Sequence, residues 1–246
     1  MHKKYENPPI IEAVCEFRLT PDTQWDLTTP GLIYEKISKE FVNKEEISLQ
    51  EVTLVKTAEG LQHSVRPDQR IRFLTDDKKT FIQLGTRLLA VNRLKPYSTW
   101  EDFKPKIENA FSALNETVDI SSFQRIGLRY INRIDIPSQT VDLDQYFDFK
   151  PFLGKGLPQL LKSFIVGCEI PFRDGQDSCK VQLTNTIPET PASSSYVLDL
   201  NYFLATAEAI SKQDALEWVE NAHNILEDIF EGCITDSLRA IFKESV

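Results

Sequence analysis

The run Phe123-Gln124-Arg125-Ile126-Gly127-Leu128-Arg129-Tyr130-Ile131-Asn132-Arg133-Ile134-Asp135-Ile136, near the middle of the chain, leaves few choices of local structure. Its side chains divide with a period of two. Ile126, Leu128, Tyr130, Ile134 and Ile136 fall on one side, with Gln124 and Asn132. Arg125, Gly127, Arg129, Ile131, Arg133 and Asp135 fall on the other. Successive residues of a strand point to opposite faces, so this is a long strand with one apolar and one charged face. The three arginines stand at steps of four residues, about 13 Å apart along such a strand.

A related pattern opens the chain. Asn7-Pro8-Pro9 is a stiff extended lead, because both prolines hold φ and exclude helix. It feeds Ile10 to Leu19, in which Ile11, Ala13, Cys15, Phe17 and Leu19 alternate with Glu12, Val14, Glu16 and Arg18. After each of these strands the same order follows: a shorter helical stretch, three or four strands, and a long amphipathic helix. In the first half the helix covers Gly31 to Val42, with Thr29 as its cap. The strands are Ile47–Lys56, Gln69–Thr75, Thr80–Gly85 and Arg87–Leu94. The long helix opens at a capping box, Ser98-Thr99-Trp100-Glu101. Pro105 inside its apolar stripe predicts a kink or a late start.

In the second half, residues 142–161 read as a helical region broken by Pro151, Gly154, Gly156 and Pro158. Strands are expected at Ser163–Phe172, Ser178–Ile187 and Ser195–Leu204, with a hairpin turn at Asp174-Gly175. The second long helix is capped at Ser211–Asp214 and stopped by Gly232, and a short helix with Leu238, Ile241 and Phe242 ends the chain. The reading is therefore an α+β chain of two tandem halves, residues 1–120 and 121–246. They form one integrated unit with one curved antiparallel sheet and helices on one side. That element order is the one seen in the TATA-binding-protein-like fold, where two copies join through their first strands. Likeness of order is no warrant for function.

Composition narrows the function classes. The formal net charge of −9 disfavours a chain-wide attraction to phosphate backbones or anionic lipid. Nucleic acid is thus a disfavoured partner, and a protein partner the expected one. No apolar run reaches the length of a membrane span, and Met1 to Pro9 is not a secretory h-region. Cys15, Cys168, Cys179 and Cys233 form no Cys-x-x-Cys pair and read as reduced thiols, mostly buried. These features point to the cytoplasm.

Three segments carry a family likeness. Tyr5-x-Asn7-Pro8-Pro9-Ile10-x-Glu12-Ala13-Val14, Gly127-Leu128-Arg129-Tyr130-Ile131-Asn132-Arg133, and His223 with Phe230, Ile234 and Thr235 resemble an uncharacterised, sporadically distributed family of prokaryotic proteins. The resemblance covers essentially the whole chain and implies no activity. Sporadic distribution is like that of defence and toxin–antitoxin genes, which by analogy implies a regulatory, immunity or antitoxin role.

The candidate binding residues are Glu12, Glu16, Arg125, Arg129, Asn132 and Arg133. A guanidinium offers a planar fork of donors to phosphate or carboxylate. If the two opening strands pair, Glu12 and Glu16 share the face of the arginines. The ladder is then either an internal salt-bridge network or a binding surface. Arg70, Arg72, Arg87 and Arg93 are further basic residues for that surface. The aromatics fall mostly on the apolar faces, Phe73 opposite Arg70 and Arg72, and Tyr130 opposite Arg129. Single-stranded nucleic acid needs stacking platforms, so this weakens that reading.

His223 reads as a boundary residue of the last long helix, His63 as a loop residue, and His2 as part of the tail. No two histidines can be argued into a metal site, and no nucleotide-binding or nucleophile motif occurs. No catalytic residue, cofactor or metal is expected. The first expectation is a non-enzymatic binding or regulatory module acting on a partner protein. The alternatives are a nucleic-acid or nucleotide-phosphate binder using the arginine face, and a metal-dependent phosphate-ester enzyme. In the last, Arg129 and Arg133 would clamp the ester and Glu12 or Glu16 would hold the metal.

Overall fold

The computed structural model describes residues 4–57, 60–158 and 161–243. In chain order the elements are β1 (Ile10–Leu19), α1 (Thr29–Ile37), β2 (Asn43–Thr57), β3 (Gly60–Leu74), β4 (Thr80–Gly85), β5 (Leu88–Leu94) and α2 (Trp100–Thr117). The second half follows with β6 (Phe123–Ile136), α3 (Leu143–Tyr146), β7 (Ile165–Phe172), β8 (Asp177–Thr186), β9 (Ser194–Leu204), α4 (Ala215–Cys233) and α5 (Asp236–Phe242). The nine strands form one sheet in the order β2-β3-β4-β5-β1-β6-β9-β8-β7, and the pairings are antiparallel.

The two opening strands meet at the centre. Val14 lies opposite Arg129, Glu16 opposite Gly127 and Arg18 opposite Arg125. Pairing preserves faces, so the apolar sides of β1 and β6 become one continuous floor. Ala13, Cys15, Phe17, Ile126, Leu128 and Ile134 are fully buried there. The helices cover that side of the sheet. Phe17 packs against Phe111 of α2 at 4.7 Å between ring centroids, and Tyr202 of β9 against Trp218 of α4 at 5.4 Å. Tyr34 of α1 stacks on Phe73 of β3 at 4.6 Å. Burying these aromatic side chains is the dominant favourable term, about 25 cal/mol per Å² of apolar surface removed from water.

Several local expectations are corrected. The cap of α2 is Thr99, whose hydroxyl accepts from Asp102 N at 3.2 Å, one residue later than expected. Pro105 lies inside α2 without delaying its start at Trp100. The cap of α1 position is Thr28, and the Asp26 carboxylate takes the N–H groups of Thr28 and Thr29. Among the described residues of 142–161 only the four-residue α3 forms a helix, because the prolines and glycines that follow interrupt the helical pattern. Strands β2 and β3 are longer than expected, at 15 residues each, and His63 belongs to β3 rather than to a loop. His2 lies outside the described residues. Among the described residues no helix is long and apolar enough to cross a membrane.

Candidate functional site

The seam where β1 meets β6 gathers most of the charged residues singled out from sequence. Glu12 lies opposite Ile131 of β6, and Asp199 of β9 lies opposite the same Ile131 from the other side. Arg129 is therefore one diagonal step from both acids, and diagonal neighbours remain within reach of long side chains. It engages Asp199 with a two-pronged pair, Nε donating to Oδ1 at 2.7 Å and Nη2 to Oδ2. That bond, ahead of the opposing cost of burial, raises the Arg129 guanidinium above its ordinary value. Asp199 was not singled out from sequence, because its position opposite Ile131 comes from the β6–β9 register.

Glu12 has a different partner. Arg72 Nε donates to Gln83 Oε1 at 3.0 Å, Gln83 Nε2 to Asn92 Oδ1 at 3.0 Å, and Asn92 Nδ2 to Glu12 Oε1 at 2.7 Å. This polar chain crosses β3, β4, β5 and β1 on the charged face, and Gln83 and Asn92 are buried within it. Glu16 lies 3.7 Å from Arg125 Nε and 3.6 Å from Arg18 Nε. Arg133 faces Asp135 at 3.2 Å and donates to Ile187 O at 3.0 Å. The ladder arginines thus carry carboxylate partners already.

Two aromatic rings also lie on this face, contrary to expectation. Arg125 stacks over Phe203 at 3.9 Å and Arg72 over Phe81 at 4.7 Å. Burial lowers the Arg125 guanidinium from its ordinary value, with Glu16 acting in the opposite sense. Both rings are covered, Phe203 at 7% and Phe81 at 5% exposure, so the guanidiniums occupy the faces a nucleobase would need.

Other residues fall elsewhere. Asn132 points to the helix side, buried, with Nδ2 donating to Leu198 O at 3.1 Å. Of the additional arginines only Arg70 and Arg72 share the ladder's face. Arg93 lies opposite Ala13 on the helix side and donates to Thr80 Oγ1 at 2.8 Å. Arg87 sits in the β4–β5 turn with φ 56° and donates to Thr23 O at 2.8 Å. His223 is not a boundary residue. It is buried, stacked on Trp100 at 4.2 Å, with Nδ1 2.9 Å from the Tyr130 hydroxyl. No spacing signal marks it, since three elements converge on it.

A second feature lies at the outer edge of the second half. Val166, Cys168, Ile170 and Phe172 of β7 form an apolar stripe on the helix side of the sheet. Ile170 is 38% exposed, and Cys168 is exposed. In the first half, α1 covers the outer strands through Tyr34 and Phe73. In the second half, α3 occupies the corresponding place in the order. It has four residues and packs on α5. Val166 and Phe172 pack partly against the core, Phe172 with its ring 5.4 Å from that of Tyr202, and Cys168 and Ile170 between them are left open. Of the four thiols, only Cys168 is exposed; burial pushes Cys179 and Cys233 up to about 12.

Among the described residues, no group of three His, Cys, Asp or Glu side chains converges as a metal site. No protein-family model matches the chain, and a comparison with curated proteins finds no match.

Proposed function

We propose that the protein is a non-enzymatic binding module that takes an extended segment of a partner protein along the outer edge of β7. The observation that carries the reading is the stripe Val166, Cys168, Ile170 and Phe172, open at Cys168 and Ile170, next to an edge at which, among the described residues, β7 makes no further backbone hydrogen bond. An open edge is a template for another strand, and natural sheets normally blunt it with charge, proline or a covering element. Here Pro171 protects one end, and the Glu169–Lys180 pair at 3.6 Å lies on the opposite face. An added strand would complete the ladder through main-chain bonds and lay alternate side chains on the stripe. The formal charge of −9 favours a basic partner over an acidic one.

We read the two halves as TATA-binding-protein-like in order, a likeness that carries no activity. The nucleic-acid and phosphate-ester readings would need arginines open to a ligand, and the partners of Arg125, Arg129 and Arg133 give them no support.

The test uses protein purified from its native source under low and high salt. A stable partner should co-purify. It should shield Cys168 from maleimide, and Ile170→Lys should release it without lowering thermal stability. If Cys168 stays reactive in the complex, or Ile170→Lys leaves association intact, the edge reading fails. A dimer dissolved by Ile170→Lys would replace the foreign partner with a second copy of the chain.

A further inference from the structure

On the helix side of the seam lies a cavity of about 460 Å³. Its floor is Tyr130 and Asn132 of β6 with Leu200 of β9, and its walls come from the start of α2 and from α4. The N-terminal segment closes one side. Tyr5 sets its ring edge-on to Phe230 and Phe242, at 6.3 and 5.6 Å between centroids. The backbone N–H groups of Glu6 and Asn7 donate to Lys243 O and Phe242 O. The volume lies within the range of small-molecule sites.

The lining divides into a charged rim and an apolar interior. Glu101, Glu220, Glu227 and Glu231 are the carboxylates of the rim, each with a side chain partly or well open to solvent. They already have protein partners. Lys4 Nζ donates to Glu101 at 2.8 Å, Lys104 reaches Glu220 at 2.9 Å and Arg239 reaches Glu231 at 2.7 Å. Glu227 lies 3.5 Å from His223 Nε2. An ionic ligand would have to compete with these pairs and also give up its own hydration. The polar groups deeper in are engaged as well. His223 Nδ1 lies 2.9 Å from the Tyr130 hydroxyl, which is in turn the hydrogen-bond partner of Tyr97. Asn132 Nδ2 donates to Leu198 O at 3.1 Å. The rest of the interior surface is chiefly the rings of Tyr5, Tyr97, Trp100, Tyr130 and Phe230, with Leu200 and Leu226. Tyr97, Tyr130, Leu200 and Leu226 are buried.

We propose that this cavity binds an uncharged aromatic molecule of one or two fused rings. Its ring system lies among Tyr5, Trp100 and Phe230, with any polar substituent turned to the rim. Burial of flat apolar area supplies the affinity, and surrounding rings favour an aromatic occupant through edge-on and offset contacts. The paired rim selects against either sign of charge. The site is separate from β7, and its failure would leave the edge reading intact.

Isothermal titration of the whole protein with 1-naphthylmethanol tests the idea. The controls are 1-naphthoate and 1-naphthylmethylammonium, which carry the charge, and the decahydro alcohol, which lacks the aromatic face. The neutral aromatic alcohol should bind saturably, at least about tenfold tighter than either ion and at least about threefold tighter than the saturated alcohol. At saturation the indole N–H signal of Trp100, assigned with Trp100→Phe, should shift. Phe230→Ala and Tyr5→Ala should each weaken binding at least about fivefold, because each removes a ring from the wall. Melting curves establish which variants are folded. Tyr5 lies outside the helices and strands described above, so Tyr5→Ala carries the test if Phe230→Ala does not fold. The proposal is overturned if the alcohol does not saturate by ~1 mM, the weak end of specific binding. It is equally overturned if any control binds as tightly, if the Trp100 signal stays in place at saturation, or if the folded variants bind unchanged.

Discussion

Replacing Arg129 with Met keeps most of the aliphatic stem and removes the forked donor to Asp199. A hydrogen bond to a charged group is worth about 1.5–3 kcal/mol when covered. Here the Arg129 side chain is 43% exposed and the Asp199 side chain 19%, so screening by solvent reduces that figure. Arg129→Met is therefore expected to cost about 1–1.5 kcal/mol, a fall in melting temperature of about 2–6 °C for a chain of this size. Asp199→Asn should cost a similar amount. A double-mutant cycle isolates the pair, and the coupling should be about 1 kcal/mol. It should shrink between about 0.05 M and about 0.5 M salt, because a half-open pair is screened. Urea unfolding of the four proteins measures all of this. Coupling below about 0.3 kcal/mol, within the scatter of independent sites, would refute the argument that this pair ties β6 to β9.

Two further outcomes test other parts of the fold. Asp177 is fully buried and accepts from Tyr202 Oη at 2.9 Å, Trp218 Nε1 at 3.1 Å and Arg173 Nη1 at 3.1 Å; Asp177→Ala should cost about 3–5 kcal/mol in urea unfolding, and a loss below about 1 kcal/mol would contradict the assigned network. Lys4 holds the Glu101 carboxyl down to about 2, so its contribution is present above the ordinary carboxylate range and disappears as pH falls toward 2. Both side chains are well exposed, at 70% and 64%, so solvent screening leaves the pair little effect on stability. A carboxyl NMR titration should show Glu101 moving up in Lys4→Ala; an unchanged value would mean that the closing segment is not held this way.

Much of the architecture was legible along the chain because alternation and helical spacing are local signals. The two-faced strand at 123–136, the capped helix after Tyr97 and the repeated element order all follow from residue types at short range. So did the likelihood that acids of β1 would share a face with the arginines of β6, once those strands were paired. The sequence could not choose among acids. Arg129 has Glu12 and Asp199 at equivalent diagonal positions, and only the three-strand register assigns it to Asp199 and leaves Glu12 to Asn92. The missing cover over β7 was likewise invisible, because the strand itself has an ordinary half-buried pattern. The cavity around His223 joins residues from the N-terminal segment, β6, α2 and α4, separated by up to more than two hundred positions. Periodicity determines which way a side chain points; what it then meets is decided by elements distant in the chain, through packing and strand register.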